Sequence, residues 1–143
     1  MILCNSQFQI VGEIMKACKP SPKSIKTRKI ISSDTAGELM SLFKVLTSET
    51  RLRLIHALIL KEELCVGDLS SIVEMKPQAV SNQLQRLVDK DIVASRRDGN
   101  QIYYKINDPC VINLLELGLC LLEESKKKRP QMEKFEVVNI MAN

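Results

Sequence analysis

The hydrophobic period of this chain changes once, and that change limits what the chain can fold into. From residue 35 to Val88, apolar side chains recur every three or four positions, the spacing of helices that bury one face. From Ile92 the pattern becomes two short strand-like runs, residues 92–97 and 101–106, on either side of Asp98-Gly99, a strong hairpin signal. A long apolar helix then closes the pattern. The expected fold is mainly α with one small β-hairpin.

The helical part divides into four segments. Thr35 and Glu38 have capping-box spacing, and Leu39, Leu42, Phe43 and Leu46 follow as one stripe. Ser48 can cap a second helix with Leu52, Ile55, Leu58 and Ile59 facing inward. A short third helix follows Val66, with Leu69, Ile72 and Val73 as its buried side. Pro77 suits the first turn of a fourth, in which Val80, Leu84, Leu87 and Val88 make one core face. After the hairpin, Asp108-Pro109 reads as N-cap and first position of a last helix carrying Val111, Ile112, Leu114, Leu115, Leu117, Leu119, Leu121 and Leu122. A helix this apolar must bury more than one face. One face can cover its own domain, and a second copy of the chain most simply covers the other.

These segments set the organisation. Residues 1–34 form an N-terminal extension and linker, with Pro20, Pro22 and scattered Ser and Lys, and a short helix over Phe8, Val11, Ile14 or Met15, and Cys18 at its start. Residues 35–124 form the domain. Residues 125–143 form a basic tail, expected to be weakly structured after Lys126-Lys127-Lys128-Arg129-Pro130. The best apolar run, residues 111–122, is interrupted by Asn113 and Glu116 and falls short of the ~20 residues of a spanning helix. The first residues lack the basic start of a secretory signal. Five cysteines without a C-x-x-C pair argue against a disulfide framework or a self-contained zinc finger and for a reducing cytoplasm. Aromatic residues are 3% of the chain, with no Trp, which argues against a base-stacking sheet.

Helix, short helix, helix, hairpin is the order of a winged helix-turn-helix, whose second motif helix enters the major groove of double-stranded DNA. The outward side of the fourth helix is Gln78, Ser81, Asn82 and Gln85. Gln and Asn amides can pair bidentately with adenine, and a Ser hydroxyl can pair with most bases. Lys76 and Arg86 flank this face and can hold phosphates. The hairpin places Arg96, Arg97, Asn100 and Gln101 at or near its tip, where a wing reaches the backbone or the minor groove.

Five segments carry a resemblance: Leu42-Phe43-Lys44-Val45-Leu46, Thr50-Arg51-Leu52-Arg53-Leu54-Ile55, Glu63-Leu64-Cys65-Val66-Gly67-Asp68-Leu69, Ala79-Val80-Ser81-Asn82-Gln83-Leu84 and Arg96-Arg97-Asp98-Gly99-Asn100-Gln101-Ile102-Tyr103-Tyr104. Over residues 38–124 the chain resembles the ArsR/SmtB family. The resemblance implies a winged-helix repressor that dimerises through its C-terminal helix. Such a protein holds an inverted-repeat operator and leaves it when a metal ion, a metalloid or a thiol oxidant acts on it. One departure is Glu74-Met75-Lys76-Pro77, where the family often has a Gly-containing turn.

The resemblance implies two places for an effector. One family site uses a Cys-x-Cys pair on the third helix with N-terminal cysteines. This chain has Cys65 but Gly67 in the second position, so Cys65 with Cys4 or Cys18 is the alternative metal or redox set. The other family site joins Asp-x-His of one protomer to His-x-x-Glu of its partner on the last helix. Here Asp108-x-Cys110 replaces the first half, and Glu124 survives from the second with Cys120 beside the lost His. Cys110 and Cys120 are ten residues apart, about 15 Å of helix rise, too far to share one ion or a disulfide within one chain. Both fall on the polar stripe, with Asn113, Glu116 and Glu124. Two copies packed antiparallel about a twofold near residue 115 or 116 would bring Cys110 to the partner's Cys120 and Asp108 to the partner's Glu124. Such a site suits Zn, Cd, Pb or As(III), or an interchain disulfide.

Two other classes fit the sequence less well. A winged-helix module that binds protein rather than DNA needs no basic reading edge. Yet residues 76–105 hold six basic and three acidic side chains on a domain that is otherwise acidic. An enzyme would have to rely on Cys65 with His56, which nothing in the predicted helices brings together, so no catalytic residue is assigned.

Overall fold

The computed structural model describes residues 24–141, with side chains to residue 128. The predicted N-terminal helix, Cys4, Cys18 and most of the linker lie outside the described residues. The chain divides into two compact units, one over residues 16–109 and one that contains the helix from Cys110 onward.

The first unit begins with a single 3-10 turn at Ile25–Thr27. Four helices and three strands follow: α1 Ser33–Leu46, α2 Glu49–Lys61, β1 Glu63–Cys65, α3 Val66–Val73, α4 Pro77–Val88, β2 Val93–Asp98 and β3 Gln101–Ile106. Helix α1 starts two residues before Thr35. Its N-cap is Ser32, whose hydroxyl accepts from the Thr35 backbone N–H, so Thr35 lies inside the first turn and does not cap it. Ser48 is the N-cap of α2 by position, without a side-chain hydrogen bond.

The core is built where α2, α3 and α4 meet the sheet. Leu54, Leu69, Val80, Leu84 and Leu87 are fully buried, with Ile55, Leu58, Ile92, Val93 and Tyr104 beside them. Of the four residues expected inside on α4, Val80, Leu84 and Leu87 are fully buried and Val88 is half-buried. On α2 the stripe is turned: Leu54 is inside, while Leu52 is 38% exposed. Ile72 of α3, expected inside, is 43% exposed. Both helices carry adjacent apolar residues, so spacing alone leaves two rotations open and contact with the sheet decides between them.

The sheet is antiparallel in the order β1-β3-β2. Asp98 pairs with Gln101, so the hairpin loop is Gly99-Asn100, and Gly99 takes the left-handed φ of +60° that such a turn requires. The third strand, β1, has no signal in the sequence pattern. It is three residues long and pairs Glu63, Leu64 and Cys65 with Lys105, Tyr104 and Tyr103 of the distant β3.

The turn before α4 explains the departure at Glu74. Glu74 ends α3 in the left-handed conformation, φ 57° and ψ 44°, and its N–H reaches the Ser70 carbonyl. The Met75 N–H reaches the same carbonyl at 3.1 Å. This is the conformation that a glycine adopts freely after a helix, adopted here by a glutamate.

The second unit is described by its helix, α5, Cys110–Met141. Helix α5 starts one residue after Pro109 and does not stop at the basic run. It passes through Lys126-Lys127-Lys128-Arg129 and Pro130, so the expected weakly structured tail is helical as far as Met141. Lys, Arg, Gln, Met and Glu, which dominate this stretch, are good helix formers, and Pro130 removes one backbone donor without ending the helix. Among the described residues no helix is long and apolar enough to cross a membrane.

Candidate nucleic-acid interface and effector site

Helix α4 carries the candidate reading face. With Val80, Leu84 and Leu87 fully buried, the opposite side must face outward. Gln78, Asn82 and Gln85 are exposed there and Ser81 is half-buried, as expected. Two of the amides are already oriented along the helix: Gln78 Nε2 donates to Asn82 Oδ1 at 3.2 Å, and Gln85 Nε2 to Asp89 Oδ1 at 2.8 Å. Lys76 and Arg86 are exposed at the two ends.

One buried cation locks this helix in place. The Arg51 guanidinium, on a residue only 8% exposed, donates from Nε to the Val45 carbonyl, from Nη2 to the Lys44 carbonyl at 3.3 Å and from Nη1 to Gln83 Oε1 at 2.7 Å. It thereby satisfies two carbonyls at the end of α1 and ties them to the side of α4. Burial, and next the charge of Arg86, hold its pKa below the ordinary arginine value.

The two wing arginines have different surroundings. Arg96 grips Glu63 with two parallel bonds of 2.8 Å, reaches Asp98 at 3.2 Å and lies over the Tyr103 ring at 4.8 Å. The hydrogen bond from Arg96 holds the Glu63 carboxyl below its usual range, and Glu63 and Asp98 in turn raise the Arg96 guanidinium. Arg96 therefore fastens the wing to β1. Arg97 lies on the other face of β2 because successive side chains alternate. Its Nε meets only the Gly99 carbonyl, at 3.2 Å, and no carboxylate pairs with it among the described residues. Its sheet face is the one that carries buried Val93 and Tyr104, continued past the core to the wing tip. Asn100 and Gln101 are exposed at that tip, and Gln101 Oε1 accepts from the Tyr103 hydroxyl at 3.0 Å. Sequence reasoning missed Glu63, Tyr103 and Arg51. The first two acquire roles only once β1 is known to pair with β3.

The cysteines fall in separate places. Cys65 is half-buried, and its thiol donates to Asp68 Oδ2 at 3.1 Å. Cys110 and Cys120 lie ten residues apart on α5. Cys120 is a free, exposed thiol, and Cys110 is disulfide-bonded. Among the described residues, no three His, Cys, Asp or Glu side chains stand close enough to hold a metal ion. One protomer thus does not bring Asp108, Cys110, Cys120 and Glu124 together. On the same helix Leu117, Leu121 and Leu122 are 64%, 70% and 59% exposed, a long apolar face. Asn113 Oδ1 is buried without a hydrogen-bond partner.

Residues 48–95 match the model of the bacterial regulatory protein, arsR family. A cadmium resistance transcriptional regulatory protein, CadC of Listeria innocua, is 36% identical over 96 residues, which cover 67% of this chain and 80% of that one. The chain belongs to the arsR family. It is a winged helix-turn-helix transcriptional repressor, with α4 as its recognition helix and β2–β3 as its wing. Among solved structures of the family's fold, the antimony-specific transcriptional repressor AntR is 57% identical, with a TM-score of 0.66, covering 78% of this chain and 99% of that one. A homodimeric winged helix-turn-helix DNA-binding domain from Mycobacterium bovis is 25% identical, with a TM-score of 0.58, covering 70% and 94%.

Proposed function

We propose that this arsR-family repressor works as a homodimer in the cytoplasm and releases its operator when a thiophilic metalloid or metal ion bridges the two α5 helices. The ligands are Cys110 of one protomer and Cys120 of the partner subunit, with Asp108 and the partner subunit's Glu124 alongside. The observation that carries this reading is the uncovered leucine face of α5, with its two cysteines on one stripe, ten residues apart. An apolar face of this kind calls for a covering partner, and a second copy packed antiparallel supplies one. The likeness to an antimony-specific repressor and to a cadmium-resistance regulator supports a soft ion. Antimony(III) and arsenic(III) rank before cadmium and lead, and zinc comes last, because two thiolates dominate the donor set.

On α4 and the wing, Gln78, Ser81, Asn82 and Gln85 read base edges, and Lys76, Arg86 and Arg97 hold phosphates. Asn100 and Gln101 add contacts at the wing tip. The bridge favours one arrangement of the two protomers, and that arrangement sets whether the two recognition helices sit one turn of DNA apart, about 34 Å. A coupling of about 1–3 kcal/mol changes operator affinity 5- to 150-fold.

The test is complementation under reducing conditions, with Cys110 kept as a thiol. Antimonyl tartrate is titrated against the protein–DNA complex while fluorescence anisotropy reports release. Cys110→Ser and Cys120→Ser homodimers should each fail to respond. Mixed and re-equilibrated, they form a heterodimer that keeps one intact Cys110–Cys120 pair, and the response should return in part. A mixture as silent as its parents would overturn the intersubunit site. Full release by both single variants would remove these cysteines from the mechanism, leaving Cys65 with Cys4 or Cys18.

A further inference from the structure

Beside the recognition helix lies an open pocket of about 330 Å³. Its walls come from the end of α1 (Ser41, Lys44, Val45), the first turn of α2 (Arg51), and the end of α4 with the turn after it (Arg86, Asp89, Lys90). Four of these seven side chains are cationic and one is acidic. The ion pairs among the described residues all lie elsewhere, at Arg96 and Lys127. The single carboxylate, Asp89, is engaged by the Gln85 amide at 2.8 Å. Lys90 Nζ donates to the neutral Ser41 hydroxyl at 3.0 Å. Arg51 uses its bonds on two carbonyls and an amide, none of which carries charge, and two of its five N–H donors are left over. The charge of Arg86 is felt at Arg51, lowering its pKa after the effect of burial. Neutral acceptors orient these cations without offsetting their mutual repulsion. An anion in the pocket would do both.

We propose that this pocket binds a phosphate group, gripped by Lys44, Arg86 and Lys90 and backed by the buried Arg51. Two sources share that chemistry: a backbone phosphate of bound DNA and a free phosphate ion. The position favours DNA. Arg86 lies eight residues after Gln78, about 80° round the helix from it at 3.6 residues per turn. The pocket therefore sits on the shoulder of the reading face, where the sugar–phosphate strand that borders the groove passes. This inference rests on α4 being the groove-entering helix, and it adds a clamp that fixes how deep and at what angle the helix sits.

The experiment compares wild type with a Lys44→Gln, Lys90→Gln double variant, both exposed positions, with thermal melting as the check that the fold is kept. Binding to a labelled random-sequence duplex is measured against salt concentration, and the Arg51 Nε–H resonance is followed on adding inorganic phosphate at constant ionic strength. If DNA supplies the group, the variant's salt dependence is shallower by roughly 1.8 in log–log slope per dimer, one phosphate per pocket. If a free ion supplies it, the slope is unchanged, but phosphate shifts the Arg51 signal in wild type and not in the variant. An unchanged slope together with an unresponsive Arg51 overturns the pocket. A wild type that fails to bind the duplex at low salt refutes the groove-entering role of α4 instead, and the phosphate titration still decides the pocket.

Discussion

Arg96 and Arg97 are neighbours on the wing, carry the same charge and are both exposed, so a census of basic residues treats them alike. Their surroundings separate them. Arg96 is held by Glu63 and Asp98 and stacked on Tyr103, whereas Arg97 has no carboxylate partner among the described residues. Arg97→Gln should remove one phosphate contact per protomer and so two per dimer. At about 0.9 in log–log slope per phosphate, the salt dependence of binding should become shallower by roughly 1.8. Between 50 and 200 mM salt, a fourfold change, wild type should lose roughly 12 times more affinity than the variant. Arg96→Gln should leave the slope within about 0.5 of wild type, because a guanidinium already neutralised by carboxylates releases few counterions. Its effect should appear in the wing, as loosened amide exchange across β1 and β3 and a lower Tm. The assay is fluorescence anisotropy on a random-sequence duplex at four or five salt concentrations, so that base readout does not intervene. Equal slope changes for the two variants, or a larger change for Arg96→Gln, would refute the division of labour drawn from the ion pairs.

Other expectations follow from single positions. Glu74→Gly relieves the left-handed strain at the end of α3 and should raise stability by up to about 1 kcal/mol, read as a higher urea midpoint with DNA affinity unchanged. Leu84→Ala empties a fully buried site beneath the reading face. It should cost about 2–5 kcal/mol, a large part of a small domain's stability, measured by urea unfolding. Because the folded-state pKa of Glu63 is depressed by Arg96, its contribution is present above the ordinary carboxylate pKa and is lost only as pH falls through the folded value. Melting curves should thus be insensitive to Glu63 between pH 7 and 5. Below that range wild type should lose stability that Glu63→Gln never had. Gln78→Ala should narrow the gap between operator and random duplex by about 1–3 kcal/mol while leaving binding to the random duplex nearly unchanged, as competition titrations would report.

How far the sequence alone discloses such a protein depends on the distance over which each feature is decided. The inner side of α4 is local: Val80, Leu84 and Leu87 repeat at helical spacing and are fully buried. The hairpin is local as well, since Asp98-Gly99-Asn100 specifies its own turn. Strand β1 is not, because Glu63-Leu64-Cys65 has no alternation of its own and exists through pairing with β3, some forty residues later. Once β1 is missing from a reading, Glu63 has no partner and its ion pair with Arg96 goes unseen. Leu52 and Leu54 compete for the inner side of α2 on spacing alone for the same reason, since the sheet settles its rotation. The proposed effector site behaves differently again. Cys110 and Cys120 share one helix, so their place on one polar stripe is legible without any tertiary information, and their separation along it is equally plain. That separation would keep one protomer from completing the proposed site, however well its fold is known. A heterodimer with one intact Cys110–Cys120 pair is therefore the decisive molecule. It distinguishes a ligand set split between two chains from one built within a single chain, and no property of the isolated protomer can do so.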